Sequence, residues 1–334
     1  MFEKDNAELI KDYIKSDASL KIINSYRIIN DLGFDVWSFK KLIFLEYCIK
    51  PFLQICEGNG FKCIFIDLFS SCGANKIQDM DVNSIGSPII SLLKGIIKNK
   101  RRGKNNKFYK WFFFEKNHEF SKALKERIPQ TLTLVNSEFN ENLKIDTDVF
   151  VINGDCNEKI QNLIDELKKE KDKDNFAILA FVDPYNFKDL KWETLKILFS
   201  LPRVDLIFNL PIQAIERGSS VCKNKSKYLS PSLVNLLNEK SVSNIPEKDF
   251  EKSYAKDLLK LAQRSHINYR DIGISVKSLE NREIYRINLY TYSTPFSNSV
   301  SKKADQLDKL DSKGFKSILE QAIGKQGNLL KYIE

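Results

Sequence analysis

The stretch INYRDIGISVKSLENREIYRINLYTY, residues 267–292, contains two segments rich in β-branched and aromatic residues. These segments are residues 267–279 and 284–292, and a short polar connection, ENRE, joins them. Parallel neighbours in a sheet need a connection of a dozen or more residues, so two strands joined this closely pair antiparallel. The sequence therefore predicts a β-hairpin in the C-terminal part of the chain.

Upstream of this hairpin, apolar strand-like runs alternate with amphipathic helical patterns. The predicted strands are residues 61–69, 109–115, 148–154, 176–183 and 204–210. The predicted helices between and after them are residues 87–97, 117–128, 157–171, 192–201 and 254–265. Strands separated by helices run parallel, and continuous apolar runs are typical of strands buried on both faces. The predicted fold class is therefore α/β, with five parallel strands followed by the antiparallel hairpin. This order of elements resembles the Rossmann-like, seven-stranded sheet of class I S-adenosylmethionine (SAM) methyltransferases.

The sequence also predicts how the chain is organised into a domain, an insertion and two terminal segments. We expect a helical N-terminal extension over residues 1–58 and a Rossmann-like domain over 59–300. We also expect an insertion at about 210–250 and a C-terminal helical tail over 301–334. In the first predicted helix after the first strand, Ser87 is expected as the N-cap and Pro88 as the first helical residue.

Composition excludes several classes of protein. The 334 residues are 42% hydrophobic, with no apolar run long enough to span a bilayer and no signal-peptide pattern at the start, so we expect a cytoplasmic protein without a membrane partner. Six cysteines form no CxxC pair and are expected to be small buried residues. With only two histidines, a His-based metal site or a Ser-His-Asp triad is not expected. The net charge of +9 weakly favours an anionic partner such as nucleic acid.

Acidic residues follow the predicted parallel strands, where an open sheet binds ligands. They are Asp67, Glu115, Asp155 and Asp183. An acid after the second strand can accept hydrogen bonds from ribose hydroxyls, and one after the third can accept them from the adenine amino group. Any of these acids taken alone could be an ordinary surface residue. No GxGxxG follows the first strand, which disfavours NAD. The pattern predicts an adenosine-containing cofactor, and the resemblance of the order of elements to class I methyltransferases implies that this cofactor is SAM.

Several motifs occur in the order and spacing found in the three-Cys-motif partner proteins (TcmP). They are IFIDLFSSCG, GSPIISLL, FFFEKN, GDCNE, FVDPYNF and VDLIFNLPIQAIERG, within residues 35–220. The family looks like SAM-dependent methyltransferases, often found beside a radical-SAM-like partner carrying three cysteines. The resemblance implies a cofactor site formed by Asp67, Phe69, Gly73, Glu115, Asp155 and Cys156. It places Asp183, Pro184, Tyr185 and Arg217 on the side of the methyl acceptor.

This chain departs from the family pattern in the loop after the first strand. The family typically has DLFAGPG where residues 67–73 are DLFSSCG, and DPYG where residues 183–186 are DPYN. The first departure leaves one glycine where methyltransferases usually have two or three. It motivates an alternative function, a catalytically inactive methyltransferase-like subunit for binding or assembly in a defence or mobile-element system.

The residues DPYN also look similar to the [DNS]PP[YFW] motif of nucleic-acid amino-methyltransferases. There an acid or amide and a prolyl carbonyl accept hydrogen bonds from an exocyclic amine, and the aromatic ring stacks on a flipped base. Asp183 and Tyr185 are the candidates for these roles. With one proline only, the segment could also be an ordinary turn.

Two basic segments could contact nucleic acid. Residues 98–107 contain six Lys or Arg and no acid, but they lead into a strand at the amino edge of the sheet, away from the predicted site. Residues 217–227 leave the carboxyl edge and carry Arg217 and three lysines. Either segment could instead be a solvated loop. The sequence favours a SAM-dependent methyltransferase acting on a nucleic acid or a partner-associated substrate.

Overall fold

The computed structural model describes residues 28–30, 38–77, 82–98, 103, 105–171, 173–219, 222–240, 244–262, 270–278 and 282–310. The described strands are β1 (Lys62–Asp67), β2 (Ala74–Ile77), β3 (Val82–Ile85), β4 (Ile96–Ile97), β5 (Asn106–Glu115), β6 (Val149–Asn153), β7 (Phe176–Val182), β8 (Val204–Leu210), β9 (Arg270–Lys277) and β10 (Glu283–Thr291). The described helices are α1 (Phe39–Gly58), α2 (Ser87–Lys94), α3 (His118–Phe139), α4 (Cys156–Lys169), α5 (Trp192–Leu198), α6 (Ile212–Gly218), α7 (Lys225–Tyr228), α8 (Pro231–Glu239), α9 (Glu247–Ala262) and α10 (Thr294–Lys309). Short 3₁₀ turns occur at Lys173–Asn175 and Phe187–Asp189.

Eight of the described strands form the central sheet, and seven of them lie in the order β6–β5–β1–β7–β8–β10–β9. The five strands from β6 to β8 are parallel, whereas β10 runs antiparallel to both β8 and β9. The two-residue strand β4 pairs with the beginning of β5 on the same edge as β6. This arrangement confirms the predicted α/β fold class, including the C-terminal hairpin of a class I methyltransferase sheet.

Helices cover both faces of the sheet because its central strands are apolar on both sides. Every residue of β7 and of β8 is buried. One face packs against α1, α2, α3 and α10, and the other against α4, α5, α6, α8 and α9. Helix α3 extends through Pro129, beyond the predicted end at residue 128, because Leu132 and Val135 continue its buried face.

The predicted terminal extensions are described only in part. Helix α1 contributes Phe39, Leu45 and Phe52 to the core, although Pro51 lies within it. Helix α10 (Thr294–Lys309) runs across the expected boundary between the domain, which ends at 300, and the tail, which begins at 301. Residues 1–27, 31–37 and 311–334 lie outside the described residues, as do positions 267–269 of the predicted strand. The insertion expected at about 210–250 contains α6, α7 and α8.

The loop after β1 contains an antiparallel hairpin, β2–β3, which the sequence did not predict. Gly73 and Gly86 stand at its two ends, and the Gly86 amide donates to the Gly73 carbonyl at 2.8 Å. A Cβ on Gly86 would lie 3.1 Å from the Gly73 carbonyl carbon, so the two backbones approach too closely for a side chain. Gly86, and not Ser87 as predicted, is the N-cap of α2.

Candidate active site

A cleft of about 550 Å³ lies at the carboxyl ends of β1, β5, β6 and β7. Ligands bind in open α/β sheets where the strand order reverses, and the order reverses here between β1 and β7. The cleft is also lined from outside the parallel strands, by Lys41 of α1, Asn75 of β2 and Tyr285 of β10. The structure therefore places a cavity where the order of elements predicted one.

Seven of the ten predicted site residues line this cleft. They are Phe69, Glu115, Asp155, Cys156, Asp183, Pro184 and Tyr185. Three others do not reach its wall. Gly73 has a φ of +76° and packs against Ile89 and Leu124, behind the lining. Arg217 lies exposed on α6, because the helix turns its buried face, Ile212 and Ile215, towards the core.

Asp67, the third of these residues, is fully buried beneath the cleft. Its carboxylate accepts hydrogen bonds from the Ser87 hydroxyl at 2.6 Å and from the Phe69 amide at 3.1 Å. Burial raises the pKa of Asp67 to about 7; the negative charges of Asp183 and Glu115 add to this shift, and the two hydrogen bonds oppose it. Asp67 therefore joins the β1 loop to the beginning of α2, in place of the predicted direct contact with the cofactor.

The loop after β1 keeps a tight turn despite its lack of glycines. Ser71 adopts a φ of +54°, in the left-handed region that favours glycine. The backbone amides of Asn117, Ser71 and Lys116 donate to the Glu115 carboxylate. Burial raises the pKa of Glu115 above its ordinary value, and these amides oppose the rise. The backbone of the β1 loop thus helps to hold the acid at the end of β5.

Asp155 follows β6 and is the N-cap of α4. Its Oδ1 accepts hydrogen bonds from the Asn157 amide at 2.9 Å and from the Asn157 side chain at 2.7 Å. The Lys116 ammonium lies 3.2 Å from Oδ2. Partial burial acts to raise the pKa of Asp155, but the Asn157 hydrogen bonds and the Lys116 charge outweigh it and hold the pKa below its ordinary value. Asp155 is therefore ionised at neutral pH.

The end of the cleft at β7 contains an ion pair between a buried lysine and a half-buried aspartate. Asp183 Oδ2 lies 2.7 Å from the Lys41 ammonium, and Asp183 Oδ1 accepts a hydrogen bond from the Asn209 side-chain amide at 2.6 Å. The Lys41 ammonium also lies 5.1 Å from the centroid of the Tyr285 ring. Tyr185, two residues after Asp183, is 72% exposed. A carboxylate held by Lys41 and Asn209 and an exposed aromatic ring thus both lie at the end of β7.

The lining is acidic overall, in a chain that is basic overall. Its carboxylates are Glu115, Asp155, Asp183 and Asp189, against the two lysines Lys41 and Lys116. Burial also raises the pKa of Asp189 above its ordinary value. Within the described residues, no group of three or more His, Cys, Asp or Glu side chains is arranged to hold a metal ion. This charge balance suits an organic cation.

The described residues of the two basic segments lie outside the lining of the cleft. Of residues 98–107, the structure describes 98, 103 and 105–107, where Lys107 pairs with Glu141. In the second segment, the described residues of 217–227 do not line the cleft either. The residue after it, Tyr228, packs edge-to-face on Phe187 at 6.5 Å. Within the part of the chain that is described, no helix is long and apolar enough to cross a membrane.

Sequence reasoning missed several residues of the cleft because they do not follow a parallel strand. Lys41 and Tyr285 come from a helix and an antiparallel strand that only the tertiary packing brings to the cleft. Gly86 and Asn75 come from the β2–β3 hairpin. The GSPIISLL motif contains Gly86, so the motif could have identified it. Nothing in the local sequence distinguishes Lys41 from the lysine before it.

The strand order and the position of the cleft define the fold of a class I methyltransferase. No family model matches the chain, and no curated protein matches it. Solved structures with a similar fold include a protein from Legionella pneumophila, at 9% identity and a TM-score of 0.44 over 83% of this chain and 94% of that one. They also include an O-methyltransferase from Bacillus cereus in complex with SAH, at 9% identity and a TM-score of 0.41 over 87% of this chain and 100% of that one. At this level of similarity no residue role is transferred from either protein.

Proposed function

We propose that the protein is a SAM-dependent methyltransferase whose cleft holds the cofactor over β1, β5 and β6 and the methyl acceptor at the end of β7. The observation that carries this proposal is the convergence of Glu115, Asp155 and Asp183 on one cleft at the point where the strand order reverses. SAM supplies an electrophilic methyl group on a cationic sulfonium. The acidic lining is suited to that charge, and the half-buried carboxylates of Glu115 and Asp155 at two adjacent strand ends fit an adenosine group.

Each part of the proposed cofactor site follows from the contacts of this chain. Glu115 accepts from three backbone amides and keeps about one of its four lone-pair sites, which can accept from a ribose hydroxyl. Asp155, ionised by its hydrogen bonds, accepts from the adenine amino group. The β1 loop and Gly86 contribute backbone to the wall of the cleft, and Gly86 lacks the Cβ that would press on the Gly73 backbone. We assign Phe69 and Cys156 to the same wall.

The proposed role of Asp183 is to orient a neutral amine. An ionised carboxylate has about four lone-pair sites. Lys41 and Asn209 occupy one on each oxygen, which leaves capacity for an amine N–H. With the Pro184 carbonyl as a second acceptor, the nitrogen lone pair can be directed at the methyl carbon. With SAM bound, the nitrogen would form its bond to the methyl carbon as the carbon–sulfur bond broke, S-adenosylhomocysteine would leave as a neutral thioether, and the methylated nitrogen would lose its extra proton to solvent. Positioning would supply most of the rate enhancement.

The acceptor class that suits this arrangement is a nucleic-acid base or a partner-associated substrate. Tyr185 is exposed enough to stack on a planar ring, a contact worth about 1–3 kcal/mol per base. The resemblance to TcmP supports the same chemistry and a radical-SAM-like partner protein. A cytoplasmic location fits such a substrate. The basic segments, away from the cleft, are suited to more distant contacts with nucleic acid.

The experiment is transfer of labelled methyl groups from SAM to bulk tRNA, rRNA and DNA. We expect incorporation by the wild type and a loss of about 5- to 150-fold in Tyr185→Ala, because one stacked ring is removed. Tyr228→Ala is the matched control, since Tyr228 lies outside the lining. Equal incorporation by the wild type and Tyr185→Ala would contradict the role of Tyr185. Incorporation into none of the three would contradict a nucleic-acid acceptor.

A second candidate is an inactive binding or assembly subunit. Ser71, in place of a glycine, and the two protein donors already on Asp183 favour it. The left-handed conformation of Ser71 and the position of Gly86 weigh against it, because the turn is retained. This candidate predicts that the protein binds no SAM.

A further inference from the structure

Asn157, two residues after the acid that ends β6, makes four hydrogen bonds with its side chain. Its Nδ2 donates to Asp155 Oδ1 and to the Asp189 carbonyl, each at 2.7 Å. Its Oδ1 accepts from the Lys191 amide at 2.8 Å and from the Thr194 hydroxyl at 2.7 Å. An amide side chain has two donors and two acceptor lone pairs, so Asn157 is fully used.

These contacts connect the two ends of the cleft. Asp155 belongs to the cofactor end, at the start of α4. Asp189 and Lys191 belong to the segment that carries the chain from Asp183 and Tyr185 into α5. The carboxylate of Asp189 in turn accepts from the Asn186 amide at 2.8 Å. Asn157 thus fixes the segment after β7 against the end of β6.

Asn157 also determines which oxygen of Asp155 can meet a ligand. Its backbone amide and its Nδ2 both donate to Oδ1, which takes up both lone pairs of that oxygen. Among the described residues, Oδ2 accepts only from the exposed Lys116 ammonium. The unused acceptor capacity of the carboxylate is therefore on Oδ2.

We propose that Asn157 is a positioning residue that sets Asp155 Oδ2 to recognise an exocyclic amine on the purine of the bound nucleoside cofactor. The inference rests on the proposed SAM site. Removing the Asn157 side chain frees Asp155 to rotate, so the purine amine loses a fixed acceptor. The loss of Asn157 should therefore reduce the preference for a purine with an exocyclic amine more than it reduces the affinity for nucleoside ligands in general.

The test is calorimetric titration with two probes, S-adenosylhomocysteine and S-inosylhomocysteine, which differ at the purine 6-position. We expect the wild type to prefer the adenosyl compound by about 10- to 100-fold, as for one charge-assisted hydrogen bond. In Asn157→Ala we expect that preference to fall to about threefold or less. Gln161→Ala, on the exposed face of the same helix, should keep the full preference. If Asn157→Ala does not fold, Asn157→Ser should also lower the preference for the adenosyl compound, but by a smaller factor.

If Asn157 has only a structural role, Asn157→Ala should lose affinity for both ligands by the same factor. That result would overturn the inference and leave the proposed cofactor site intact. A wild type that binds both ligands equally would also overturn it. A wild type that binds neither would overturn the proposed function together with it. Loss of the preference in Asn157→Ala, with residual binding of both ligands, supports the inference.

Discussion

Replacing Ser71 with glycine should stabilise the protein without weakening cofactor binding. Ser71 has a φ of +54°, and a non-glycine residue in the left-handed region costs about 1–2 kcal/mol. Its hydroxyl is buried and has no hydrogen-bond partner among the described residues, which costs about 1 kcal/mol more. The glycine itself destabilises the folded state by about 0.5–1 kcal/mol, because it increases the conformational entropy of the unfolded chain. The expected net gain in the free energy of unfolding is about 1–2 kcal/mol.

The assay is urea unfolding of the wild type and Ser71→Gly. The two free energies of unfolding are compared with the same m-value, the slope of the free energy against urea concentration. Ser71→Val is the opposite perturbation, because a β-branched residue is poorly tolerated at positive φ, and it should be less stable than the wild type. Asp146→Gly is the matched control. Asp146 also has a positive φ, 59°, but it is exposed and of a type that tolerates this region, so the gain should be smaller.

SAM affinity should be the same in Ser71→Gly and the wild type within about twofold, because the amide that donates to Glu115 is retained. In Ser71→Val the turn cannot form, so the affinity should fall. If Ser71→Gly is less stable than the wild type, the backbone at residue 71 is not strained and the account of the β1 loop is wrong.

Three further predictions concern the cleft and its floor. Asp67→Asn should gain stability relative to the wild type as pH rises from 5 to 8, by up to about 3 kcal/mol, measured by urea unfolding. The sign follows from the raised pKa of about 7 for Asp67: the wild type loses stability as pH rises from the ordinary value towards the folded one. The pKa of Asp205 is also raised to about 7, but Asp205 is present in both proteins, so its effect cancels in the difference between their unfolding free energies. A difference that stays constant across this pH range would contradict the raised pKa of Asp67. Glu115→Gln should weaken SAM binding about 10-fold or more in calorimetry, and unchanged affinity would remove Glu115 from the site. Tyr185→Ala should leave the unfolding free energy within about 0.5 kcal/mol, because the ring is 72% exposed, and a larger loss would show that it packs in the fold.

Most of the sheet was predictable because its strands are continuous apolar runs. β7 and β8 are buried at every position, and the hairpin of β9 and β10 is fixed by a connection too short for a crossover. The hairpin of β2 and β3 was missed because its strands have four residues each and carry polar side chains such as Asn75 and Asn83. Short polar strands have no periodicity that separates them from a loop.

The site was predictable as far as it follows strand ends. Asp155 and Asp183 reach the cleft because parallel strands end at the same edge of a sheet. Asp67 also lies at the end of a parallel strand, but Ser87 at the start of α2 hydrogen-bonds to its carboxylate and covers it. Lys41 could not be predicted, because its contact with Asp183 spans 142 residues and depends on how α1 packs. The number of glycines in the β1 loop did not indicate its conformation, since Ser71 takes up the glycine-like φ.

The most direct measurement is calorimetric titration of SAM into the wild type and Asp155→Asn. Asparagine keeps an oxygen that can cap α4 and removes the carboxylate charge, so the variant separates ligand recognition from helix stability. We predict saturable binding of one SAM per chain by the wild type and an affinity about 10-fold or more lower in the variant, as for the loss of a charge-assisted hydrogen bond. Absence of heat from the wild type at SAM concentrations on the order of 1 mM, which corresponds to a binding free energy weaker than about −4 kcal/mol, would contradict the account.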